Sequence, residues 1–86
     1  MRVHHFDAVM VQMRPGQLRN ITNTRQIAEL LTGPWPAKRR GVPYAAVVKA
    51  CMDHHEGRTS ADDVRKAFIT AAKDADIFVR EGLFLG

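Results

Sequence analysis

The sequence predicts an α+β domain in which a small antiparallel sheet, a β-hairpin plus a C-terminal strand, packs against three helices. Apolar residues alternate with period two near the start of the chain, whereas three later segments repeat them at helical spacing. Prolines and glycines separate the segments. The predicted order is β-β-α-α-α-β within one domain, residues 1–86, because a chain of 86 residues suffices for one hydrophobic core and not for two.

The hairpin is predicted from the N-terminal quarter of the chain. A strand is predicted over residues 3–13 (VHHFDAVMVQM), because the end of this run, residues 9–13, alternates with period two. Residues 14–17 (RPGQ) match a type II turn, because proline presets φ at the second position and glycine tolerates a positive φ at the third. The returning strand, residues 18–22, alternates imperfectly, since Leu18 and Ile21 cannot share a face without a bulge.

Helices are predicted over residues 24–32, 43–56 and 61–75, followed by a strand at residues 77–79 and an apolar tail, residues 82–86. Asn23 and Ser60 are the expected N-caps of the first and third helices. Each helix carries one apolar stripe, and the predicted core-facing residues are Ile27, Leu30 and Leu31; Tyr44, Val47, Val48, Cys51 and His55; and Val64, Ala67, Phe68, Ala71, Ala72 and Ala75.

Positive charge is concentrated in the first part of the chain. Residues 1–52 carry a net charge of +6 and residues 53–86 a net charge of −2. A basic surface attracts phosphates or an acidic partner. The candidate nucleic-acid-binding residues are the cations of the proline-rich loop, of the hairpin and of the first helix, together with the lone tryptophan: Lys38, Arg39, Arg40, Arg14, Arg19, Arg25 and Trp35.

Two interpretations of this set are open. In the first, the cations converge on phosphates and Trp35 stacks on bases, which would give weak, sequence-nonspecific binding of nucleic acid. In the second, the loop is solvated and Trp35, which stands between two prolines, is buried against the core. The second is favoured, because three adjacent basic residues are few for tight binding and no helix-turn-helix or zinc-finger pattern is present.

The segment KACMDHHEG, residues 49–57, places the only cysteine, Cys51, near His54 and His55. A structural zinc site needs four ligands, and the chain has one cysteine and four histidines. A catalytic Cys–His pair would need an exposed thiolate, which Cys51 would not provide if it faces the core. The favoured interpretation is a helix end, in which Cys51 is a small core residue, the two histidines complement the helix dipole, and Gly57 forms the cap.

No phosphate-binding glycine loop, paired catalytic carboxylates or serine elbow occurs, so the sequence predicts no enzyme, no catalytic residue, no metal and no cofactor. Neither a signal peptide nor an apolar run of membrane-spanning length is found, and a cytoplasmic protein is expected. One cysteine excludes a disulfide within the chain.

An ordered set of short motifs resembles the bacterial domain of unknown function 982 family over about residues 8–80. The set is AELL at 28–31, Trp35-Pro36, Gly41, Tyr44, Cys51, Gly57, AFI at 67–69, Ala71-Ala72, Ile77 and Val79. The resemblance implies a small bacterial α+β protein of the cytoplasm and implies no activity. His54 and His55 are not part of it.

The expected function is therefore a non-enzymatic binding or regulatory module that acts on an unidentified protein partner. Homodimerisation through an open strand edge or the apolar tail is one form of this hypothesis. The alternative is the weak nucleic-acid binder described above.

Overall fold

One antiparallel sheet of three strands forms the first layer of the domain, in a computed structural model that describes residues 5–82. The strands are β1 (His5–Arg14), β2 (Gln17–Asn23) and β3 (Phe78–Glu81), in the spatial order β2-β1-β3. Gly16 in the turn between β1 and β2 has a φ of +80°, a conformation that glycine adopts without steric cost. The predicted hairpin and C-terminal strand are confirmed.

The pairing of β1 with β2 determines which side chains enter the core. Val9 lies opposite Ile21, and these side chains are only 0% and 3% exposed. Leu18 lies opposite Gln12 on the other face of the sheet and is 55% exposed. The register between these two pairs is unbroken, so Leu18 and Ile21 simply point to opposite faces. The imperfect alternation of β2 therefore marks an outward-facing leucine.

Three helices form the second layer: α1 (Thr24–Thr32), α2 (Val42–His55) and α3 (Ala61–Asp74). Each begins and ends within one residue of its predicted bounds. A short 3-10 turn, Ala37–Arg39, lies in the loop between α1 and α2. The order β-β-α-α-α-β and the α+β class are thus confirmed.

Both predicted N-caps are present. The Asn23 side chain accepts a hydrogen bond from the backbone N–H of Gln26 at 2.9 Å and begins α1. At the start of α3, Ser60 Oγ accepts one from the backbone N–H of Asp63 at 3.1 Å. The Thr59 hydroxyl, which donates to the Asp63 carboxylate, and Ser60 together hold the pKa of Asp63 below its usual range, because these hydrogen bonds stabilise the ionised form. The carboxylate is therefore charged at neutral pH beside the positive end of the helix dipole.

The hydrophobic core lies between the inner face of the sheet and the three helices. Phe68 of α3 is fully buried among side chains from both layers, including Val11, Ile27 and Val47. Ala71 and Ala72 of α3 and Ala75, which follows the helix, are buried as predicted, whereas Ala67 is only partly buried. Small side chains of this kind let neighbouring backbones approach closely, which explains how α2 and α3 pack together.

Arg65 joins α3 to two strands. Its Nε donates to the backbone oxygen of Asp7 in β1 at 2.9 Å, and one terminal nitrogen lies 3.0 Å from the Glu81 carboxylate in β3. The Arg65 side chain is only 13% exposed, so this ion pair is partly screened from water. The contact connects the helical layer with the edge strand β3.

Some predictions require correction or lie outside the described residues. His55, expected to continue the core-facing stripe of α2, is exposed, and Cys51 is half-buried rather than fully enclosed. The first residues of the predicted N-terminal strand and residues 83–86 of the apolar tail are not described. Between residues 5 and 82, the structure has no helix of the length and hydrophobicity needed to cross a membrane.

Replacing Phe68 with alanine is expected to lower the free energy of unfolding by about 3–5 kcal/mol, because it removes a fully buried ring from the centre of the core. Denaturant unfolding followed by circular dichroism measures the change. Leu18→Ala, at an exposed position, is the control and is expected to stay within about 0.5 kcal/mol of the parent. A Phe68→Ala loss below about 1 kcal/mol would contradict the central position of this ring.

Asp76→Gly is expected to raise the free energy of unfolding by about 1 kcal/mol, because Asp76, the residue after the C-cap of α3, has a φ of +60°. Its carboxylate also lies at the negative end of the helix dipole. Asp76→Asn, which removes the charge and keeps the side-chain shape, separates the two effects and is expected to give the smaller gain. Thermal and denaturant unfolding of both variants provide the measurement, and destabilisation by Asp76→Gly would show that the aspartate makes a compensating contact.

Candidate functional site

Trp35 belongs to the core. It is only 2% exposed, and its indole Nε1 donates to the backbone oxygen of Arg39 at 3.1 Å. The ring centroid lies 6.0 Å from the rings of Phe68 and Tyr44. The hypothesis that Trp35 stacks on nucleic-acid bases is therefore wrong, since neither face of the ring is accessible, and the alternative interpretation of a buried loop anchor is confirmed.

Arg40 closes the same loop. Its guanidinium donates to the backbone oxygens of Gly33 and Trp35 at 3.4 and 3.3 Å and lies 5.4 Å from the centre of the Tyr44 ring. The Tyr44 hydroxyl in turn donates to the backbone oxygen of Leu31 at 2.6 Å. Arg40 and Tyr44 thus hold the end of α1 against the start of α2, and Arg40 has a structural role besides its positive charge.

The remaining cations of the predicted set are distributed over separate places. Lys38 and Arg39 are exposed in the 3-10 turn after α1. Arg25 forms an exposed ion pair with Glu29 at 3.6 Å within α1. Arg19 lines a shallow cavity of about 330 Å³ between β2 and α1, and Glu29 also lines this cavity.

Arg14 lies at the hairpin turn, exposed, at the end of β1. Of the predicted nucleic-acid-binding cations, Lys38 and Arg39 are therefore the two that lie next to each other, exposed, in the loop. Near Arg19 and Arg25, Glu29 offsets the positive charge. The high positive charge of residues 1–52 is therefore spread over several surfaces.

The outward side of α2 carries a feature that the sequence reasoning missed. This side, called here the α2 face, consists of Val42, Ala45, Ala46, Lys49, Met52, Asp53 and Glu56, which lie together at helical spacing. Val42 is 84% exposed and Met52 is 61% exposed. Two of the four exposed large hydrophobic residues found in the described part of the chain therefore lie on one side of one helix.

A signal for this face was present in the sequence. The segment VPYAAVVKACMDHH has apolar residues on all sides of the helix, and yet Val47 is the one residue of α2 that is fully buried. Helices that are apolar all round are normally enclosed by protein. Assigning the stripe Tyr44, Val47, Val48 and Cys51 to the core left the apolar residues opposite that stripe without an explanation.

A groove of about 560 Å³ runs along this helix. Tyr44, Ala45, Val48 and Met52 are the uncharged residues that line it. Exposed apolar grooves with a polar rim are typical of sites that bind another protein. The groove is open to solvent and overlaps the α2 face, with which it shares Ala45, Lys49, Met52, Asp53 and Glu56.

Charged side chains surround the groove unevenly. Near the C-terminal end of α2, Asp53 pairs with Lys49 at 3.1 Å and Glu56 pairs with Arg58 at 2.8 Å. Near the N-terminal end stands Arg40, next to Arg39 and Lys38, and the first turn of α2 contains no acidic residue. The groove therefore has a cationic end and an end where carboxylates and cations alternate.

His54 and His55 lie in the last turn of α2, as predicted, and Cys51 lies one turn earlier, half-buried. Burial raises the pKa of the Cys51 thiol, because the charged thiolate is less well solvated there. His54 Nδ1 lies 3.0 Å from the backbone oxygen of Thr59, and Gly57 has a φ of +79°. Within residues 5–82, no three histidine, cysteine, aspartate or glutamate side chains are placed so that they could hold a metal ion.

The family model of a group described as "Protein of unknown function (DUF982)" matches residues 7–79. No curated protein and no solved structure matches the chain. The match spans nearly the whole described domain, from the start of β1 to β3, and so includes the buried Trp35, α2 and the alanine-rich α3. The resemblance seen in the sequence is confirmed, and the chain belongs to the DUF982 family.

Proposed function

We propose that this protein is a non-enzymatic binding module that contacts another protein through the α2 face. One observation carries the proposal: apolar residues occur on the outward side of α2 as well as on its inward side, and Val42 and Met52 point into solvent from it. Exposing such side chains to water is unfavourable, and their burial against a partner would gain roughly 25 cal/mol for each Å² of apolar surface removed from water. The adjoining groove provides a concave surface for side chains of the partner.

The absence of an enzymatic activity is part of the proposal. Its main support is the raised pKa of Cys51, which keeps this half-buried thiol protonated and weakly nucleophilic at neutral pH. His54 is engaged with the backbone of the following loop. Action in the bacterial cytoplasm is also proposed, on the family resemblance and on the presence of one cysteine that remains a thiol.

A photoreactive amino acid at position 52 is expected to form a covalent adduct with a protein in cells that express this chain. The same amino acid at position 18 is the matched control, because Met52 and Leu18 are 61% and 55% exposed but lie on α2 and β2, respectively. Irradiation followed by denaturing gel electrophoresis and mass spectrometry identifies the adduct. A discrete protein adduct at position 52, absent at position 18, is the expected result.

Adducts that are equally abundant at both positions would indicate random encounters, and the absence of a protein adduct at position 52 would exclude the proposed binding surface. Treating the sample with nuclease before electrophoresis shows whether an adduct depends on nucleic acid.

A second candidate function is weak binding of single-stranded nucleic acid by Lys38 and Arg39, which are exposed side by side. Two phosphate contacts predict a slope of about −1.4 when the logarithm of the binding constant is plotted against the logarithm of salt concentration. The double variant Lys38→Ala/Arg39→Ala is expected to abolish this dependence. Fluorescence anisotropy of a labelled oligonucleotide at several salt concentrations measures it.

Arg25→Ala is the control for this candidate function, since Arg25 is equally cationic and exposed but is paired with Glu29. It is expected to leave the salt slope unchanged. A slope that is the same in the parent and in the double loop variant would remove Lys38 and Arg39 as a nucleic-acid contact.

A further inference from the structure

We infer that the partner bound at the α2 face is a second copy of this chain, with the two α2 helices antiparallel across a two-fold axis. In this arrangement Val42 of one copy packs against Met52 of the other. The inference rests on the proposed function and specifies its partner. Three features of the described residues carry it: the spacing of the apolar side chains, the distribution of charge along α2, and the poor fit of the strand edge β2 to a second copy.

The apolar residues of the α2 face are arranged for self-association. Val42 and Met52 lie on the same side of the helix, ten residues or about 15 Å apart along its axis. A two-fold axis midway between them places Val42 of each copy against Met52 of the other. The interface then contains two such contacts, and all four exposed side chains are covered. Ala45, small and exposed, lies between them and allows the helices to approach closely.

Charge favours the antiparallel direction. Arg39 and Arg40 lie at the N-terminal end of α2, and the first turn of this helix contains no acidic residue that could offset their charge. This end of the helix dipole is itself positive, so cations are unfavourable there without an acidic partner. Asp53 and Glu56 lie near the C-terminal end, where Lys49 and Arg58 already pair with them. Antiparallel packing brings Arg39 and Arg40 of one copy beside these carboxylates and the negative helix end of the other, whereas parallel packing would place the cations of the two N-terminal ends side by side.

The open edge of β2 is less suited to a second copy. The backbone groups of Ala8 and Gln12 in β1 form hydrogen bonds on the side of β3. The alternate residues of β1 therefore bond to β2, through Ile21 and Arg19 opposite them. The backbone groups of Leu18 and Asn20 consequently point away from the sheet. The next outward group, the Thr22 N–H, already donates to Gln26 Oε1 at 2.7 Å. In the antiparallel register that pairs Leu18 with Asn20 of the second copy, Arg19 would lie directly opposite Arg19, which is repulsive.

Sedimentation velocity tests the inference. The contact is short, since the 14 residues of α2 span about 21 Å, so dissociation at micromolar concentrations is expected and the series should extend to several hundred micromolar. Met52→Glu is expected to raise the dissociation constant of the dimer at least about tenfold, since it places a charge in the apolar contact. Leu18→Glu, at an equally exposed position on β2, is expected to leave it unchanged.

Disulfide formation between separately purified variants tests the direction of packing. Val42→Cys and Met52→Cys are each made in a Cys51→Ala background, whose circular dichroism and sedimentation must match those of the parent. Mixing the two under mild oxidation is expected to yield a covalent dimer. Each variant alone is expected to yield little, because its two cysteines would be about 15 Å apart, beyond the roughly 7 Å limit between Cα atoms for a disulfide.

A chain that stays monomeric at all concentrations overturns the inference, as does a dimer that Met52→Glu leaves intact. Cross-linking of each single variant with itself, without enhancement on mixing, would show a parallel contact and also overturn it. These results differ from a failure of the proposed function. A monomeric chain whose position 52 still forms a photo-adduct with a different protein would retain the binding surface and lose only the second copy.

Discussion

The position of α2 depends on the burial of the Trp35 indole. This ring lies between Phe68 of α3 and Tyr44 of α2, and its Nε1 is satisfied by a backbone oxygen within its own loop, so the tryptophan is enclosed without an unpaired polar atom. Tyr44 extends the connection to the last turn of α1 through Leu31. These contacts of Trp35 and Tyr44 together link all three helices and hold α2 with Val47 toward the core, which leaves the α2 face on the outside.

Much of the fold could be predicted from the sequence because its determinants are local. The starts of α1 and α3 follow from Asn23 and Ser60, whose side chains accept hydrogen bonds from the backbone three residues further on. The end of α2 follows from Gly57, whose positive φ does not continue a helix. The turn at Gly16 and the alternation of β1 predict the hairpin for the same reason. The burial of Trp35 was also the favoured interpretation, since flanking prolines limit the ways in which its loop can fold.

The candidate site was less predictable because it depends on tertiary packing. A helical stripe shows which residues of α2 turn inward, but it does not show how much of the opposite side is covered by the rest of the chain. For this reason the sequence does not predict the exposed apolar surface at Met52, and the prediction that His55 faces the core is wrong. Proximity of cations in the sequence likewise did not reveal that Arg40 closes its own loop or that Glu29 accompanies Arg25.

The pairing of β1 with β3 has a consequence for how this chain can be rearranged. The Gly82 N–H donates to the backbone oxygen of Ala8, so the last described residue lies beside β1, three residues from the start of that strand at His5. Arg65 holds these two strands to α3 close to the same point. A short peptide could thus connect the two ends, and new termini could be opened at the exposed hairpin turn near Gly16 without interrupting a helix.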